Sequence, residues 1–231
     1  MFLHQGLGCL GMWRDFPERM AAATGCGALV YSRLGHGGSD PLPGPWPVRF
    51  MHDEALQVLP EVIERFRLDQ LVLFGHSDGA SIAVIFAGAR LASPVALILE
   101  APHVFVEPVC LESIARIAGA YETTGLRERL ARHHGSRTDS MFRAWTEAWL
   151  RPEFRQWNIE EYLPGLESPV LVVQGEDDQY GTARQVDAVM TQVGGPAQSL
   201  LLAGCGHAPH LEKPDQVLEA AARFVRQALD H

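Results

Sequence analysis

The sequence predicts an α/β protein, a mostly parallel sheet with helices on both faces. Short runs of leucine and β-branched residues alternate with longer segments of helical period, the pattern of strands buried between helical layers. The chain has 231 residues, enough for one large domain that buries most of its apolar surface. Its 47% hydrophobic and 20% charged residues exclude disordered, collagen-like and coiled-coil classes.

Taken in order, Met1, Phe2 and Leu3 form only a stub of strand ahead of a glycine-rich turn at residues 4–11. Further expected strands cover residues 28–32, 70–75, 95–100, 169–174 and 198–202, each a Val, Ile or Leu run closed by polar residues or glycine. Leu56, Leu59, Ile63 and Phe66 recur at helical spacing, as do Leu218, Ala221, Val225 and Leu229, so each set predicts a helix with one apolar stripe. Residues 80–89 are small and apolar on all sides, which predicts a helix buried against the sheet. The prolines of D-P-L-P-G-P-W-P at residues 40–47 suit a rigid surface loop better than a polyproline ligand. Residues 103–163 have helical period without a strand, with stripes at Leu111, Ile114, Ala118, Tyr121 and at Phe142, Trp145, Trp149. They are expected to form a helical cap over a core made of residues 1–102 and 164–231.

A net charge of −9 and a pI near 5.5 argue against nucleic acid or an anionic membrane as partners, since both select clustered Lys and Arg. Cys9, Cys26, Cys110 and Cys205 are far apart and form no C-x-x-C pair, which fits a reducing cytoplasm. No secretory signal or apolar stretch of membrane-spanning length is evident.

The chemistry concentrates where residues 71–74 run into Gly75-His76-Ser77-Asp78-Gly79 and then into the apolar helix. A strand followed by G-x-S-x-G and a helix is the context of a nucleophile elbow, whose sharp turn holds Ser77 above the sheet and leaves no room for Cβ atoms at the glycines. A serine hydroxyl needs a base within hydrogen-bond reach and a carboxylate to orient that base. Gly175-Glu176-Asp177-Asp178 and Gly204-Cys205-Gly206-His207-Ala208-Pro209-His210 follow later strands and supply both.

On these residues, together with the H-x-G-x-G turn at residues 4–8 and G-H-G-G-S at residues 35–39, the sequence resembles the α/β-hydrolase superfamily along nearly its whole length. The resemblance implies Ser77 as nucleophile, His207 as base and Asp178 as acid, with Asp177 and Glu100 as competitors for the last role. It also implies an oxyanion hole from the backbone N–H groups of Leu7 and Asp78. Asp78 is unusual there, and its carboxylate is expected to turn onto the helix N-terminus rather than to select a cationic substrate group. His210 and the His133-His134 pair are expected at the surface or hydrogen-bonded, and the H-x-x-H spacing from His207 to His210, without nearby carboxylates, is expected to make no zinc site.

The expected function is a serine hydrolase of a small acyl compound, most simply a carboxylic ester, needing no cofactor or metal. A carbon–carbon hydrolase would use the same three residues, and a non-catalytic member of the fold is a third reading. Gly6-Leu7-Gly8-Cys9-Leu10-Gly11 also matches the dinucleotide fingerprint, but the next strand ends at Tyr31-Ser32-Arg33 without the acidic residue that would bind a ribose. Relatives usually carry further strands before the first turn, so N-terminal strands are expected to be missing. The edge at residues 28–32 should then invite self-association.

Overall fold

The computed structural model describes residues 1–230. Five strands, β1 (Phe2–Leu3), β2 (Val72–His76), β3 (Ala96–Glu100), β4 (Val170–Gly175) and β5 (Ala197–Leu202), lie side by side in chain order, all parallel. The α-helices are α1 (Phe16–Thr24), α2 (Phe50–Asp53), α3 (Leu59–Phe66), α4 (Asp78–Gly88), α5 (Pro108–Ala120), α6 (Leu126–His134), α7 (Thr138–Leu150), α8 (Ala183–Gln192), α9 (Pro209–Glu212) and α10 (Pro214–Leu229).

Helices cover both faces of the sheet, so its central strands are apolar at consecutive positions rather than alternate ones. Leu97 and Leu99 of β3 and Val170 and Val172 of β4 pack under α4 and α8. Ala96, Ile98, Leu171 and Val173 point the other way, onto Phe16 and Met20 of α1 and onto Val217, Ala221 and Val225 of α10. Residues 78–87 of α4 are all buried, as their all-round apolar character requires. A five-residue π-helical stretch, Glu54–Val58, joins α2 to α3. Phe66 ends α3 and is 56% exposed, outside the apolar stripe its spacing suggested.

One expected strand is absent. Residues 28–32 make only an isolated parallel bridge, Val30 to Phe2, on the side of β1 away from β2. A neighbour only two residues long offers few backbone groups to a ladder, which limits the pairing at this edge. The proline-rich loop carries no helix or strand, but it buries Trp46 on Phe50, with ring centroids 4.5 Å apart. Between β3 and β4 come α5, α6 and α7, three short 3₁₀ turns and an isolated antiparallel bridge from Phe105 to Asn158. Among the described residues no helix is long and apolar enough to cross a membrane.

Candidate active site

Because the sheet is parallel, the carboxyl ends of β2, β4 and β5 open on one side, where such folds hold their ligands. Ser77 follows β2 and caps α4 with φ 55° and ψ −118°, a conformation that L-residues seldom adopt and that costs on the order of 1–3 kcal/mol. The flanking glycines allow the turn. A Cβ on Gly75 would lie 2.4 Å from the Gly79 carbonyl oxygen, and one on Gly79 would lie 2.0 Å from that of Leu3.

Ser77 Oγ lies 2.9 Å from His207 Nε2, and His207 Nδ1 lies 2.9 and 2.8 Å from the two carboxylate oxygens of Asp178. A carboxylate only accepts, so Nδ1 carries the ring proton of a neutral His207 and Nε2 is left to accept from the serine. Asp178 also accepts from the Tyr180 N–H at 2.8 Å and from Gln174 Nε2 at 2.7 Å. Burial pushes its carboxyl pKa up, but His207 and these hydrogen bonds outweigh burial and hold it below the ordinary carboxylate range. Asp177 is exposed, and the hydrogen bonds of His207 Nδ1 go to Asp178 instead.

Glu100 is committed elsewhere, accepting from the His210 backbone N–H at 2.6 Å and from His210 Nδ1 at 2.8 Å. His76 Nε2 lies 2.7 Å from the His207 carbonyl oxygen, so it must carry a proton and donate it. Burial holds the His76 ring pKa down near 3, keeping it neutral. His76, Glu100 and His210 offer ligand atoms within 4.8 Å of one another, the one such grouping among the described residues. With these hydrogen bonds in place the group reads as a clamp under the His207 loop rather than as a metal centre. His210 is thus buried and hydrogen-bonded, as is His134, whereas His133 is exposed.

The turn at residues 4–8 faces Ser77 and is held from several sides. His36 Nε2 is 2.9 Å from the Gly6 carbonyl, and His134 Nε2, from α6, is 3.1 Å from that of Leu7. The Leu7 N–H donates to Gln5 Oε1 at 3.1 Å, so a neighbouring side chain occupies one of the two expected oxyanion donors. Asp78 starts α4, and its N–H has no backbone partner. The Asp78 carboxylate departs from expectation: it is 1% exposed, and its Oδ2 accepts from no helix N–H. Burial raises its pKa to about 6, against the smaller opposing pull of Arg33 and His207.

The glycine-rich turn does not open a helix directly. A 3₁₀ turn, Leu10–Trp13, separates it from α1, Gly6 faces Trp145 and Asp78, and the Arg33 guanidinium is buried on the Gln5 carbonyl. None of this geometry serves a pyrophosphate.

A cavity of about 210 Å³ lies beside Ser77 and His207, walled by Leu7, Asp78, Trp145 and Trp149. A larger one, about 410 Å³, lies between the proline-rich loop and α2 and touches none of Ser77, Asp178 or His207. The small cavity is the one the polar groups address.

The model of the alpha/beta hydrolase family matches residues 1–220. The chain belongs to that family. No curated protein matches it by sequence. Among solved structures, a 2-hydroxy-6-oxo-6-phenylhexa-2,4-dienoate hydrolase from Rhodococcus superposes with TM-score 0.78 at 15% identity, over 97% of this chain and 89% of that one. A thermophilic esterase from Thermogutta terrifontis gives 0.74 at 20% identity, over 98% and 89%. The enol-lactonase from Burkholderia xenovorans gives 0.70 at 17%, over 97% and 89%. At these identities the likeness speaks for the fold, which this alpha/beta hydrolase shares with enzymes of several reactions. Gln5, His36, His76 and His134 were not singled out from the sequence as parts of the site. His76 does stand inside the elbow motif, and His36 inside G-H-G-G-S.

Proposed function

We propose that this alpha/beta hydrolase is a serine hydrolase of small carboxylic esters, working through an acyl-enzyme without metal or cofactor. The observation that carries the proposal is the continuous hydrogen-bond chain from Ser77 through His207 to Asp178. Ser77 Oγ attacks the ester carbonyl while His207 Nε2 takes its proton. His207 then returns that proton to the leaving alcohol, and a water activated by the same ring cleaves the acyl-enzyme. Asp178 holds the ring in its tautomer and stabilises the imidazolium that forms.

The oxyanion is received by the Asp78 N–H at the start of α4 and by the Leu7 N–H once Gln5 Oε1 is displaced from it. A cavity of about 210 Å³ sits below the usual range of about 300–1,000 Å³ for drug-sized ligands, which suits a small acyl group under a cap at residues 103–163. The four free cysteines fit a reducing compartment such as the cytoplasm. The test is labelling with a fluorophosphonate followed by a panel of short esters. Ser77 should be the modified residue, and Ser77→Ala should lose turnover by on the order of a million-fold. Retained ester turnover in Ser77→Ala would overturn the mechanism, and turnover of dienoates but not esters would move the activity to carbon–carbon cleavage.

A further inference from the structure

Buried polar atoms without partners are rare in folded proteins, because each one gives up its hydrogen bonds to water without replacement. Nine such side-chain atoms occur among the described residues, and four belong to residues lining the one small cavity beside Ser77: Asp78 Oδ2, Trp145 Nε1, Trp149 Nε1 and His103 Nδ1. Asp78 and both tryptophans are more than nine-tenths buried. A concentration of this kind on one cavity points to a ligand that completes it.

The chemistry of the group follows from the donors and acceptors. An ionised carboxylate only accepts, and an indole N–H only donates. A methyl on Gly6 would lie 2.8 Å from Asp78 Oδ2 and 2.1 Å from Trp145 Nε1, so these two atoms lie side by side, packed against Gly6. The Trp149 indole also lies against the carboxylate and opposes the rise in its pKa, although Asp78 Oδ2 and Trp149 Nε1 each lack a partner of good hydrogen-bond geometry. An ammonium would satisfy Asp78 alone and set its N–H groups against the indoles. A carboxylate or phosphate would satisfy the indoles and be repelled by Asp78. A hydroxyl satisfies both at once, its hydrogen to the carboxylate and its oxygen to an indole, through two bonds of about 2.8 Å.

Resting on the serine-hydrolase reading above, we propose that the substrate carries a hydroxyl within a few bonds of the scissile carbonyl and that Asp78, with Trp145 and Trp149, recognises it. Position supports this assignment, since Asp78 supplies both the N–H that faces the oxyanion and the carboxylate. Whatever the carboxylate touches is therefore close to the reacting carbon. Asp78 thus sets specificity through its side chain while its backbone serves the reaction.

The test is a ratio measured within each protein: kcat/KM for a hydroxylated ester over kcat/KM for its deoxy counterpart. Ethyl lactate and ethyl 3-hydroxybutanoate are paired with ethyl propanoate and ethyl butanoate, and 2-hydroxyethyl butanoate carries the hydroxyl on the alcohol side. Ethyl alaninate is the ammonium control. The wild type should favour at least one hydroxylated ester by about 10- to 100-fold, the range for a hydrogen bond to a charged group. In Asp78→Leu that ratio should fall to within about 3-fold of unity, whatever happens to the absolute rate, and Trp145→Phe and Trp149→Phe should each lower it in part. A wild-type ratio near unity in every arm, or a preference for ethyl alaninate, overturns this inference while leaving the ester hydrolase standing. Absence of both ester turnover and Ser77 labelling would instead remove the reading on which it rests.

Discussion

Replacing Asp78 by asparagine should make the protein more stable at neutral pH than at acid pH relative to the wild type. Complete burial raises the carboxyl from 3.8 to about 6. Each pKa unit is worth about 1.4 kcal/mol, so the ionised carboxylate holds the folded state back by about 3 kcal/mol above that range. The folded carboxyl keeps its proton where the unfolded one has lost it. The folded state therefore binds more protons between about pH 4 and pH 6, wild-type stability falls as pH rises through that window, and the cost is constant above it. Asparagine keeps the shape but does not titrate. Any fixed cost of burying its amide is the same at every pH and cancels when two pH values are compared. Urea unfolding of both proteins at about pH 5 and about pH 7.5 should show their stability difference changing by about 1.4 kcal/mol in favour of the variant at the higher pH. Parallel stability profiles across that interval would show that Asp78 does not titrate near 6, and the argument that burial destabilises its charge would fail. A carboxylate retained at such a cost is expected where activity and stability pull in opposite directions.

Further outcomes follow from the same geometry. Asp178→Asn should lower kcat by about 10⁴ and Asp177→Asn by only a few-fold, since only the first contacts His207; the reverse order in steady-state kinetics would reassign the acid. Gln5→Ala removes the side chain that occupies the Leu7 N–H and should raise kcat/KM by about 2- to 10-fold, the worth of one ordinary hydrogen bond; a loss would mean that Gln5 supports the reaction instead. His76→Phe leaves the His207 carbonyl without its donor and should lower kcat by about 10-fold with little change in KM, whereas a change confined to KM would place its effect on substrate binding. The sparsely paired edge at residues 28–32 should drive association at high concentration, weakened by Ala28→Lys; sedimentation showing monomer throughout would refute this.

Much of the fold was legible because its signals are local. Residues 71–79 spell the elbow, and the two collisions that demand glycine are with Gly79 and with Leu3 of the neighbouring strand. Strands β2 to β5 stand within two residues of where their apolar runs placed them, and in β3 and β4 burial on both faces selects continuous Val, Ile and Leu. The edge segment at residues 28–32 misled for the same reason. Its composition suits a strand, but pairing depends on what lies beside it, and only Phe2 does.

The sequence by itself determined the fold class, the sharp turn at Ser77 and the chain order of serine, carboxylate and histidine, all features set by nearest neighbours or by periodicity. Only the tertiary structure decided which of two adjacent aspartates meets His207, that Glu100 holds His210 instead, and that Gln5 sits on the Leu7 N–H. It alone brought Trp145 and Trp149 to Asp78 across some seventy residues of chain, with the Trp145 indole packed where any Cβ at position 6 would collide. The physical reason is that hydrogen bonds and desolvation act over a few ångströms in space and carry no signature along the sequence.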